Sequence, residues 1–163
     1  MSETARRVQT QGRRTLAGDA FSELVVLVFR LQGLLSAEGD RLARPQGQTS
    51  ARWRVLAMVE GGSATVAQIA RAWGLARQSV QRVADALVKD GLAVYKANPG
   101  HRRAQLIQLT PRGRSALRAI QGAQKIWANE LGAKLGETDL RRASAVLTRV
   151  LEALSRTESA EPA

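Results

Sequence analysis

The chain has 163 residues, enough for one compact domain or for one domain with an appended helical layer. Its 44% hydrophobic content can supply a core and argues against global disorder, while 4% aromatic content means that this core is mostly Leu, Val and Ala. No Cys and a single His exclude a disulfide framework, a thiolate nucleophile and a His-built metal site, and 25 basic against 14 acidic residues point to a polyanionic partner, nucleic acid first.

Residues 1–18 are polar and Arg-rich and read as a flexible tail, or as a basic arm able to touch phosphates or a minor groove. From Asp19 to Leu42, Phe21, Leu24, Val25, Val28, Leu31 and Leu35 recur three or four apart, which predicts a long amphipathic helix. Its apolar side, with Leu24 and Val28, is wide enough to suggest burial by a second subunit. Glu23, Arg30 and Gln32 interrupt the run Phe21–Leu35, so it falls short of the roughly 20 apolar residues that a membrane span needs. The N-terminus has no apolar signal-peptide core, and a cytoplasmic protein without a membrane partner is expected.

Arg44-Pro45-Gln46-Gly47-Gln48 ends that helix, and Thr49 or Ser50 caps the next, which carries Trp53 and Leu56 and stops at Gly61-Gly62. Thr65-Val66-Ala67-Gln68 fits a capping box, in which Thr65 and Gln68 satisfy each other's free backbone donors. Ile69, Ala70 and Trp73 are expected to face inward. Gly74 permits a turn, and Leu75 is expected to plug the corner before a second helix from Ala76 to Asp90. Ala76 supplies no capping side chain, so this helix must depend on packing. Val80, Val83, Ala84, Leu87 and Val88 share one side of it, while Arg77, Gln78, Gln81, Arg82, Asp85 and Lys89 lie elsewhere on the cylinder. Arg can bond bidentately to guanine and Gln to adenine, so this face suits major-groove reading.

Leu92–Lys96 and Ala104–Leu109 read as two strands around a loop, Ala97 to Arg103, with the turn chemistry of Pro99-Gly100. Arg102 and Arg103 at this tip suit a minor groove or phosphates, and Lys96 suits a phosphate. Thr110-Pro111 starts a helix running to about Leu135. A last helix, from Glu137 to Ser155, repeats Leu140, Leu147 and Leu154 as a seam for another helix. Residues 156–163 read as a second tail. Residues 51–114 hold 11 basic and 3 acidic groups, so most of the excess charge lies in the central segment. No Ser/His/acid set, phosphate loop, metal motif or cofactor motif is found, and an enzyme is not expected.

The segments Thr65–Ala70, Leu75–Val83, Asp90-Gly91-Leu92, His101–Ala104 and Leu109–Gly113 together resemble the multiple antibiotic resistance regulator (MarR) family of winged-helix transcription factors. The resemblance extends from about Asp19 to Ser155. It implies a mainly α fold: a winged helix-turn-helix with a two-stranded hairpin wing at 47–110, and dimerisation helices at 19–46 and 111–155. It implies a homodimer, with Leu24, Val28, Leu140, Leu147 and Leu154 in the dimerisation layer. It also implies double-stranded DNA as partner, read by Arg77, Gln78, Ser79, Gln81 and Arg82 in the major groove and by Arg102 or Arg103 in the minor groove. Thr65, Gln68 and Gly74 would support the helix-turn-helix. A small aromatic or anionic effector is implied between the two layers, near Phe29, Arg52 and Trp53. Two positions depart from the family pattern: His101 stands where an Asp usually precedes the wing Arg, and Ala76 where a Ser or Thr usually caps the second helix. A sequence-tolerant architectural DNA binder and an RNA-binding winged helix are the alternatives, separable by competition with random DNA and with structured RNA.

Overall fold

The computed structural model describes residues 14–101 and 103–158. Ten elements follow one another: helix α1 (Leu16–Ala43), a 3-10 turn (Arg44–Gln46), α2 (Ser50–Met58), β1 (Ser63–Thr65), α3 (Val66–Trp73), α4 (Arg77–Lys89), β2 (Ala93–Lys96), β3 (Leu106–Leu109), α5 (Pro111–Leu135) and α6 (Glu137–Glu158). This is a winged helix-turn-helix flanked by long terminal helices.

Helix α1 begins before the expected Asp19, because the Thr15 hydroxyl accepts the Gly18 N–H at 3.1 Å and closes the first turn. The expected tail at 1–18 is therefore partly helix, and the remainder of that reading, at 1–13, lies outside the described residues. At the other end α6 continues to Glu158, past the expected boundary at Ser155. A third strand was not anticipated. β1 pairs antiparallel with β3 (Ser63 opposite Gln108, Thr65 opposite Leu106), and β2 pairs with the other edge of β3, giving the order β1-β3-β2. The wing is thus a three-stranded sheet in which Ile107 of the central strand is fully buried.

The core of this lobe comes from every surrounding element: Val55 and Leu56 from α2, Ile69 from α3, Val80, Ala84 and Leu87 from α4, Ile107 and Leu109 from β3, and Leu117 from α5. Thr65 ends β1 and caps α3. Its hydroxyl accepts from Gln68 N at 3.2 Å, and Gln68 Oε1 accepts from Thr65 N at 2.8 Å, so both halves of the capping box form. Gly74 takes the left-handed conformation (φ 60°), which a side chain would oppose. Contrary to expectation, Trp73 does not face inward, nor does Leu75 plug the corner. They are 44% and 37% exposed, because the turn is closed by backbone, Leu75 N donating to Ala70 O at 2.8 Å.

The beginning of α4 has no side-chain cap, as Ala76 dictates. Its end is secured more heavily. Leu92 N donates to Leu87 O at 2.9 Å, and the Thr110 hydroxyl donates to Gly91 O at 2.8 Å while accepting from Gly113 N at 3.0 Å. Gly113 then lies flat on the entry to β2. A Cβ there would sit 1.9 Å from the Leu92 carbonyl oxygen, a clash with backbone that no rotamer relieves.

Outside this lobe α1 leaves a wide apolar surface uncovered: Val26, Leu27, Phe29 and Leu34 are all more than half exposed. By length and mean hydropathy alone α1 would also suffice to cross a bilayer, although Glu23 and Arg30 interrupt its apolar run as the sequence shows.

Two substitutions check this description. Ala76→Ser supplies the missing cap and should stabilise the protein by about 1 kcal/mol, raising Tm by roughly 2–4 °C. Gly113→Ala should destabilise it by about 3 kcal/mol, through forced separation of α5 from β2. Denaturant unfolding measures both.

Candidate nucleic-acid interface

Helix α4 buries Val80, Ala84 and Leu87 and turns Arg77, Gln78, Gln81 and Arg82 to solvent, with Ser79 half-buried at the margin. The period of 3.6 residues produces this division, and the core under α4 holds it. Between the first two turns of α4 and the wing lies a cleft of about 400 Å³. Arg77, Gln78 and Gln81 line one wall, Tyr95 and Arg103 another, and Thr65 belongs to its rim. The fold therefore brings together four of the residues expected to touch DNA. Arg82 and Lys96 are exposed but lie outside the cleft. Arg102 lies outside the described residues.

The wing tip is ordered by its own turns. Asn98 Oδ1 accepts from Gly100 N at 3.0 Å, His101 N donates to Asn98 O at 3.2 Å, and Ala104 N donates to His101 O at 3.1 Å. Arg103 projects from this folded-back segment with its side chain exposed.

A three-residue contact joins helix to wing. Gln81 Nε2 donates to Asp85 Oδ1 at 2.9 Å and to the Tyr95 hydroxyl at 2.7 Å, and that hydroxyl donates to the same Asp85 oxygen at 2.6 Å. Burial and the hydrogen bond to Asp85 push the Tyr95 hydroxyl up to about 12. The Tyr95 and Gln81 donors hold the Asp85 carboxyl below the usual carboxylate range. Tyr95 was not singled out from the sequence. The Gln81/Asp85 spacing of four was the available signal, since such pairs meet on a helix.

Arg52, expected near an effector, points elsewhere. Its Nη2 donates to Ala86 O at 3.1 Å and pairs with Asp90 Oδ2, so it closes the C-terminal end of α4, where a cation also complements the helix dipole. Phe29 is 70% exposed and also lies outside the groove that contains Trp53. That groove, about 400 Å³, runs between α1 and α2 and is lined by Val28, Leu35, Trp53, Trp73 and Leu147. Its cation is Arg54, whose guanidinium lies 6.0 Å from the centre of the Trp73 ring. The exposure of Trp73 is what opens this groove. Of the expected dimerisation residues, Leu24 and Leu147 are half-buried, and Val28, Leu140 and Leu154 are exposed.

Comparison with known proteins locates the chain among them. The sequence profile of the MarR family matches residues 46–104, which include α2, the helix-turn-helix and most of the wing. The protein Rv2011c of Mycobacterium tuberculosis, itself uncharacterized, is 40% identical over 136 residues, covering 83% of this chain and 95% of that one. Among solved structures, the MarR family transcription regulator SP03579 superposes with a TM-score of 0.74 at 21% identity, covering 88% of this chain and 95% of its own, a likeness of fold. The M. tuberculosis transcriptional regulator MosR, solved in complex with DNA, has a TM-score of 0.66 at 27% identity, over 80% of this chain and 96% of that one.

Because Tyr95 is the only tyrosine, its ionisation can be followed by tyrosinate absorbance without interference. The signal should appear well above the ordinary value of 10 in the folded protein and return toward 10 in Asp85→Asn. The sign follows from linkage. The folded value is raised, so the stability contributed by Tyr95 is complete below pH 10 and is lost as pH rises through about 12. Asp85 works in the opposite direction, contributing above its ordinary 3.8 and losing that contribution as acid protonates it.

Proposed function

Because the chain belongs to the MarR family of DNA-binding transcriptional regulators, we propose that it acts in the cytoplasm as a homodimeric, sequence-specific repressor of a pseudo-palindromic operator. The observation that carries this reading is the cleft between α4 and the wing, in which Arg77, Gln78, Gln81 and Arg103 converge. Arg and Gln on an exposed helix are the side chains suited to purine edges in the major groove, and a wing arginine suits the negative potential of a narrow minor groove. That MosR was solved with DNA supports the same use of a related fold.

The uncovered surface and the symmetry of the proposed operator support dimerisation. One α4 reads one half-site, so two copies are needed to read two half-sites a helical turn, about 34 Å, apart. The apolar face of α1 and the exposed Leu140, Leu151 and Leu154 of α6 are the surfaces that a second copy would cover. Leu154→Asp should yield a monomer by sedimentation and weaken operator binding with it.

Effector control is the second part of the proposal. The Trp53–Trp73 groove lies between α1 and the DNA-binding lobe, and its apolar walls with one guanidinium suit a small aromatic or anionic ligand. A ligand bound there regulates only if it prefers one spacing of the two recognition helices. Thermal shift with a panel of aromatic carboxylates should give stabilisation that Arg54→Ala removes; no shift across the panel would leave a regulator without this control.

Footprinting on DNA upstream of the chain's own gene tests the central claim. Protection should cover two symmetric half-sites, and affinity should fall roughly 10³–10⁵-fold between 50 and 200 mM salt if 6–10 phosphates are contacted. Arg77→Ala should relax preference at a particular base pair, whereas Lys96→Ala should weaken all sequences alike. Equal affinity for upstream and random DNA would favour an architectural role instead.

A further inference from the structure

We propose that Tyr95 and Asp85 are positioning residues for base readout, anchoring the amide nitrogen of Gln81 so that its oxygen is the end presented to the DNA. The inference rests on the reading of α4 as the helix that enters the major groove.

The orientation of the amide follows from the donors and acceptors available. An ionised carboxylate can only accept, so the Gln81 atom 2.9 Å from Asp85 Oδ1 must be the nitrogen. The Tyr95 hydroxyl has one proton, directed to Asp85 at 2.6 Å, which leaves it accepting from the same Gln81 nitrogen at 2.7 Å. An amide flipped by 180° would set its oxygen against the carboxylate and lose the bond to Asp85, and could keep a contact with Tyr95 only by taking the hydroxyl proton away from Asp85. Gln81 also lines the cleft between α4 and the wing, next to Arg77 and Gln78. With the nitrogen tethered, Gln81 faces the groove as an acceptor.

In the major groove adenine and cytosine offer an amino donor, whereas guanine and thymine offer only acceptors at their hydrogen-bonding positions. The base beneath Gln81 is then adenine or cytosine on the contacted strand. A free glutamine could rotate its amide and accept any of the four. The same contact also engages the one carboxylate on the exposed side of α4 between Arg77 and Arg82 on one hand and Lys89 on the other, a charge that would otherwise confront the phosphates bare.

The test is selection from a pool of randomised duplex DNA by the full-length protein and its variants. Wild type should prefer an amino-bearing base at one position of each half-site by about 2- to 10-fold, the scale of a single hydrogen bond. Gln81→Ala should erase that preference and Tyr95→Phe should weaken it. Asp85→Lys should reverse it toward guanine or thymine, because a head with donors only turns the Gln81 oxygen inward. The introduced ammonium could itself bond guanine, so the reversal must disappear in the double variant Asp85→Lys/Gln81→Ala; a guanine preference that survives there belongs to the ammonium and overturns the inference. If Gln81→Ala selects the wild-type bases, or if Asp85→Lys retains the wild-type preference, the inference is wrong while the regulator reading stands. If wild type enriches no sequence at all, the regulator reading fails and this inference falls with it.

Discussion

The orientation of α4 depends on a close approach at its far end, where Gly113 lies against the Leu92 carbonyl. Three elements meet there. The C-terminus of α4 turns through Gly91 in the left-handed conformation (φ 71°), β2 departs, and α5 begins under the Thr110 cap. Thr110 serves both sides of the junction, donating to Gly91 O and accepting from Gly113 N. Arg52 from α2 adds a bond to Ala86 O, and Arg112 one to Asp90 O. A helix whose first turn lacks a capping side chain is thereby held from its last turn. Its N-terminal half carries Arg77, Gln78 and Gln81 outward while Val80 packs into the core.

That arrangement separates the hydrogen bonds that hold the helix from those available to a ligand. The backbone and the Arg52 pair secure the C-terminal half, so Arg77 and Gln78 are left exposed beside the cleft. Gln81 is the intermediate case, being both exposed and tied to the wing through Tyr95. Because Tyr95 belongs to β2 and Asp85 to α4, the contact also links the angle of the wing to the orientation of one amide.

Much of this was legible in local sequence, where the physics is local. The Thr65/Gln68 box, the Gly74 turn, the uncapped Ala76, and the Thr110-Pro111 start each involve residues within one turn of one another, and each forms as read. The helical period of α4 likewise separated core from surface correctly. Strand β1 is hidden in the sequence because its three residues, from Ser63 to the helix cap Thr65 itself, carry no alternation that could be recognised; only pairing with β3 makes them a strand. Trp73 and Leu75 depart from their sequence pattern for a related reason. An apolar residue beside a turn is expected to fill it, but here backbone bonds close the turn and Trp73 is free to line the groove beneath α1.

Arg52 and Arg54 show where pattern stops. Two residues apart on α2, they point to different neighbours: Arg52 to the end of α4 and Arg54 to the ring of Trp73. The helical period sends residues 52 and 54 to different sides of α2, but it does not say which neighbour each side meets. The sequence by itself determined the helical class, the caps, the turn glycines and the exposed Arg/Gln face, because these follow from backbone hydrogen bonding and side-chain period within a few residues. The tertiary structure alone decided which arginine borders the groove and that Tyr95 reaches Gln81. Those contacts join Arg54 to Trp73 and Gln81 to Tyr95, residues on different elements that only tertiary packing brings together.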